Sequence, residues 1–158
     1  MIDAYYSLGS DSAKLFKGTK IASDPDYEKY RNKYNVIHLD ISSFWDFHKK
    51  DIVEKIIEDI FKELKMDYPE EFNERDRISY VLMKIYKKTG IPFVIIIDEW
   101  DVLIRDESAN KKVQDEYIRF LRGMFKGTEP TKYIQLAYLT GISVSYTHLR
   151  AHETRSNL

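Results

Sequence analysis

Apolar positions along this chain follow two periods. Three short runs are nearly continuous and rich in β-branched or aromatic residues: "YNVIHLDI" (34–41), "PFVIIID" (92–98) and "YIQLAYLTGI" (133–142). Runs of this length without clean apolar–polar alternation predict strands buried on both faces, as in a parallel sheet covered by helices. The intervening segments carry a helical period. In "KDIVEKIIEDIFKELKM" (50–66), Ile52, Ile56, Ile60 and Leu64 recur four apart, Val53, Ile57 and Phe61 widen the stripe, and charged residues face away. Pro69 marks a break or a fresh start. "EEFNERDRISYVLMKIYKKTG" (70–90) repeats the pattern through Ile78, Val81, Leu82 and Ile85 up to a capping Gly90. "NKKVQDEYIRFLRGMFKGT" (110–128) does so through Val113, Tyr117, Phe120, Leu121 and Met124. The alternation predicts an α/β fold of about three mostly parallel strands joined by right-handed helical crossovers. "SDPDYEKYRNKY" (23–34) reads as a surface turn leading into a short helix, and "SVSYTHLRAHETRSNL" (143–158) has no apolar period.

Composition narrows the classes. The 158 residues suffice for one ordinary domain with a real core. With 25 basic and 26 acidic residues the net charge is −1, so no global field recruits nucleic acid or an anionic membrane. The absence of cysteine excludes disulfides, thiolate metal sites and a cysteine nucleophile, and suits a cytoplasmic setting. The N-terminus has no export-signal pattern, and the longest apolar run, 93–97, is too short to span a bilayer. The 12 tyrosines are expected in amphipathic packing at the edge of a core.

The second strand ends on two adjacent acids, Asp98 and Glu99. In open α/β sheets, ligands bind beyond the carboxyl ends of the strands, where Asp40 and Thr140 should end the neighbouring strands. In P-loop nucleotide hydrolases the first such acid holds Mg²⁺, usually through water, and a second one polarises the attacking water. A polar residue ending the next strand, here Thr140, can reach the γ-phosphate or that water. The same acids could equally solvate a strand end and open a turn, with Asp40 capping its loop. The phosphate cradle, Gly-x-x-x-x-Gly-Lys-Ser/Thr, opens at none of the six glycines, and "FKGTK" (16–20) is read as a turn. His148 and His152 have a zinc-like i,i+4 spacing but lack the adjacent glutamate of the protease motif. Asp106, Glu107 and Ser108 form no triad with the histidines. Arg119 and Arg122 are expected on a solvated helix face.

In combination, "AYYSLGSDSAKLFKGTKI", "YNVIHLDISSF", "FVIIIDEWDVLIRD", "YIRFLRGMFKG" and "AYLTGI" resemble the bacterial AAA-ATPase-like family over roughly residues 1–142. These are predicted P-loop ATPases, often with a nuclease-like domain further along the chain. The resemblance implies a partial P-loop NTPase core of the ASCE type, with Asp98 as the Walker B magnesium acid, Glu99 as the catalytic glutamate and Thr140 as the sensor-like residue. Asp101 matches an acid that orients the loop, and Arg122 a family position in "FLRG". The implied ligands are ATP and Mg²⁺, bound by the parent protein and not tightly by this chain.

The family's phosphate loop lies just upstream of "AYYSLG". Residues 1–142 are therefore expected to be a partial domain without Walker A, inactive alone. Residues 143–158 resemble translated sequencing-adapter read-through and are expected to be a non-native disordered tail. The alternative is a non-catalytic α/β interaction module. A PD-(D/E)XK-type nuclease core would require a lysine that "QLAYLTGI" does not supply.

Overall fold

The computed structural model describes residues 1–71 and 76–142. Three strands, β1 (Asn35–Asp40), β2 (Phe93–Asp98) and β3 (Ile134–Leu139), form one sheet in the order β1-β2-β3, and both pairings are parallel. Side chains alternate along a strand, so the continuous apolar run of β2 serves two cores. Phe93, Ile95 and Ile97 enter the larger one, while Val94 and Ile96 pack on the opposite face with Tyr34. All five are buried.

The other two strands are less covered. In β1 only Asn35, Ile37 and Leu39 are fully buried. In β3 the expected two-faced burial fails: Ala137, Tyr138 and Leu139 are exposed. Among the described residues β3 pairs only with β2 and is an edge strand.

The chain begins with three short helices, α1 (Ile2–Tyr6), α2 (Ala13–Phe16) and α3 (Tyr27–Tyr30). Their rings make the peripheral aromatic cluster expected of a tyrosine-rich chain: Tyr5 lies 5.5 Å from both Phe16 and Tyr27, centroid to centroid. "FKGTK" is a turn, with Gly18 at φ 82°, where a side chain would be strained.

After β1 comes a helix that periodicity did not reveal, α4 (Ile41–Phe47). Next are α5 (Ile52–Asp67), α6 (Ile78–Thr89), a single turn α7 (Val102–Arg105) and α8 (Lys111–Phe125). The stripe Ile52, Ile56, Ile60 and Leu64 of α5 is buried together with Val81, Leu82 and Ile85 of α6 and Tyr117, Phe120 and Met124 of α8. Gly90 ends α6 at φ 70°, with its N–H on the Tyr86 carbonyl, and Asn110 opens α8 by accepting from the Val113 amide at 3.0 Å.

The helix expected over 70–90 is shorter. Pro69–Glu71 form a 3₁₀ turn, the regular helix begins at Ile78, and residues 72–75 lie outside the described part. So do residues 143–158, with the His148/His152 pair. No described helix is long and apolar enough to cross a membrane.

Candidate functional site at the carboxyl ends of the strands

Parallel pairing brings the three strand ends together. Asp40 lies opposite Asp98 in register, and Thr140 directly follows β3. The Thr140 hydroxyl donates to Asp98 Oδ1 at 2.8 Å and accepts from the Glu99 amide at 3.3 Å. Backbone bonds from Thr140 N to the Ile97 carbonyl (2.9 Å) and from Trp100 N to the Thr140 carbonyl (3.0 Å) extend the ladder past the strands. One threonine thus ties both acids to the end of the neighbouring strand.

The other oxygen of Asp98 faces a histidine. His38 Nε2 is 2.9 Å from Asp98 Oδ2, and its Nδ1 is 3.9 Å from Asp3 Oδ2 on α1. An ionised carboxylate only accepts, so the proton of this bond sits on Nε2. The histidine bond first, and the threonine bond second, hold the Asp98 carboxyl below its ordinary range. The carboxylate stays ionised and is 42% solvent-exposed.

Beyond Asp98 the chain turns sharply. Glu99 adopts φ 49°, the left-handed region, which an L side chain enters at a cost of about 1–2 kcal/mol. The turn is braced from several sides. Tyr117 Oη donates to the Trp100 carbonyl at 2.8 Å, and Val102 N to the Glu99 carbonyl at 3.1 Å. Asp101 is buried and accepts from Arg105 Nε at 2.9 Å and Nη2 at 3.5 Å. The same Nη2 is 4.0 Å from Glu99 Oε2.

Of the residues singled out in the sequence, Asp98, Glu99 and Thr140 therefore share one edge, with Asp101 beneath them. Asp40 reaches that edge too, but its oxygens accept from the Ser43 amide (3.1 Å) and hydroxyl (2.8 Å) as the N-cap of α4. Arg119 and Arg122 are exposed on α8. Asp106 binds the Trp45 indole and the Ser108 amide and joins no triad. His38 and Arg105 carried no signal of their own. The strand register would have exposed the histidine, which lies on the Asp98 face of β1 two residues before Asp40.

Among the described residues no cluster of three or more His, Asp or Glu could hold a metal ion alone. Magnesium binds commonly through one or two carboxylates, with water and phosphate oxygens completing the shell. A half-exposed, ionised Asp98 beside the Thr140 hydroxyl fits that mode of binding, and a closed protein cage does not.

An all-parallel sheet flanked by helices, with carboxylates at the carboxyl ends of its strands, is consistent with part of a P-loop nucleotide-hydrolase core. The particular family follows from the sequence match: residues 1–148 match the AAA-ATPase-like family, described as predicted AAA-ATPase, and the chain belongs to it. No curated protein and no solved structure matches.

Proposed function

We propose that residues 1–142 form the acidic half of an ATP-hydrolysing site, completed by a phosphate-binding segment that this sequence does not contain. The observation that carries the reading is the junction at the strand ends, where the Thr140 hydroxyl bonds Asp98 at 2.8 Å and Glu99 follows in a strained, braced turn. Membership in a predicted ATPase family supports the same assignment.

In this reading Asp98 would hold a magnesium ion, which would neutralise charge on the phosphates of the nucleotide. Glu99 accepts a proton from the attacking water and orients it. Thr140 keeps Asp98 directed toward the site and offers its hydroxyl to a phosphate oxygen or to that water. Among the described residues the outer edge of β3 pairs with no other strand, and this is where a further strand, with its phosphate loop, would add to the sheet.

Without the cradle, two or three charge-assisted bonds to phosphate are lost, each contributing about 1.5–3 kcal/mol. Affinity for Mg-ATP should then fall by several powers of ten. Calorimetric titration of Mg-ATP into this chain, and into a version extended upstream through a phosphate loop, tests this. The expected result is binding by the extended chain alone. Tight binding by the 158-residue chain would overturn it.

A non-catalytic interaction module is the competing reading, and one observation favours it: both oxygens of Asp98 already serve to join strand ends. It predicts that Asp98→Ala lowers stability but leaves turnover of the extended chain unchanged. The ATPase reading predicts loss of turnover.

A further inference from the structure

The turn after β2 contains a buried ion pair that the proposed chemistry does not itself use. Asp101 is 3% exposed, and a carboxylate so deeply placed needs a charged partner. Arg105 supplies it from one helical turn away, Nε at 2.9 Å and Nη2 at 3.5 Å, both terminal oxygens of Asp101 being engaged. The planar guanidinium is thereby fixed in direction as well as position, which a lysine could not achieve. Gly141, which follows Thr140, leaves the space that the Asp101 carboxylate fills: a Cβ there would lie 2.5 Å from Asp101 Oδ1.

This fixed guanidinium also faces Glu99. Its Nη2 lies 4.0 Å from Glu99 Oε2, a loose ion pair between a largely covered cation and a half-exposed acid. Glu99 needs such a guide. Its backbone is held in the φ 49° turn, but its side chain is 54% exposed and meets the arginine only loosely.

We infer that Arg105 is a positioning residue: anchored by Asp101, it sets the direction of the Glu99 carboxylate toward the water-binding side of the strand ends. The inference rests on the ATPase reading above. A displacement of about 1 Å in a reacting group can cost 100-fold in rate, so the arginine should act on turnover and not on substrate binding.

The test compares Arg105→Met, Arg105→Lys and Glu99→Gln in the upstream-extended chain, measuring kcat, KM and the Kd for Mg-ATP. Arg105→Met should lower kcat by about 10- to 100-fold with KM and Kd within about threefold of the parent, and Arg105→Lys should recover part of the loss. Glu99→Gln should abolish turnover. An Arg105→Met protein with full kcat beside an inactive Glu99→Gln protein overturns the inference. So does an Arg105→Met protein that loses ATP affinity in step with kcat, which is a purely structural effect. If Glu99→Gln keeps turnover, it is the ATPase reading that fails. The positioning inference, which rests on that reading, then fails with it.

Discussion

Replacing Gly141 by alanine should destabilise the protein, although glycine-to-alanine changes at unstrained positions normally stabilise. The added Cβ would stand 2.5 Å from Asp101 Oδ1, 2.9 Å from its Cγ and 3.1 Å from Trp100 Cδ1. The carboxylate cannot swing aside cheaply, because it is buried and held by Arg105 at 2.9 Å. Overpacking of this kind costs about 1–3 kcal/mol, against a gain of about 0.4–1 kcal/mol from the stiffer unfolded chain. The net loss should be about 1–2 kcal/mol, or a fall in Tm of roughly 2–8 °C for a domain of this size.

Urea denaturation followed by far-UV circular dichroism measures the loss, with Asp101→Ala as the second arm of a double-mutant cycle. Once the carboxylate is gone, Gly141→Ala should cost less than about 0.5 kcal/mol. A Gly141→Ala protein as stable as the parent would refute the reasoning. So would an equal loss in both backgrounds, because the clash would then lie elsewhere than on Asp101.

Two further predictions concern carboxylates outside the candidate chemistry. Asp40→Ala removes the cap on Ser43 and should cost about 1 kcal/mol in urea melts, whereas Asp40→Asn should retain most of the stability. A loss equal in both variants would contradict the capping role. Asp106 is held well below the usual carboxylate range by the Ser108 hydroxyl, then the Trp45 indole and the Ser108 amide. Its folded pKa is depressed, so its stabilisation is complete above the unfolded value, about 4, and is lost as pH falls below that toward the folded value. Urea midpoints measured from pH 7 to 2 should therefore drop less steeply below pH 4 in Asp106→Asn than in the parent. Parallel acid limbs would contradict the assignment.

Much of the architecture was legible in the sequence because burial imposes a period. The stripe of α5 and the uninterrupted run 93–97 of β2 can be read without knowing any partner, and their buried residues agree with the reading. Features that depend on a partner were not legible. The apolar letters of β3 suggest burial, but exposure is set by what packs over the faces of a strand, and Ala137, Tyr138 and Leu139 are left exposed. The helix α4 was hidden because its cap, Asp40, is also the last residue of β1, so the strand and the helix share a boundary. At the candidate site the acids announced themselves at the end of an apolar run. The His38 bond to Asp98 joins residues 60 apart and emerges only from the pairing of β1 with β2. Arg105 lies four residues from Asp101, a spacing that signals contact only if the intervening residues are helical, and α7 is one turn long.

The central claim is that Glu99 activates water at the end of β2 while other groups hold the nucleotide. Single-turnover hydrolysis of saturating Mg-ATP by the upstream-extended chain, with and without Glu99→Gln, tests it most directly. Glu99→Gln should bind Mg-ATP as tightly as the parent and hydrolyse it at least about 100-fold more slowly, in keeping with general-base contributions of about 10²–10⁴. Glu99→Gln turning over ATP at the parental rate would contradict it.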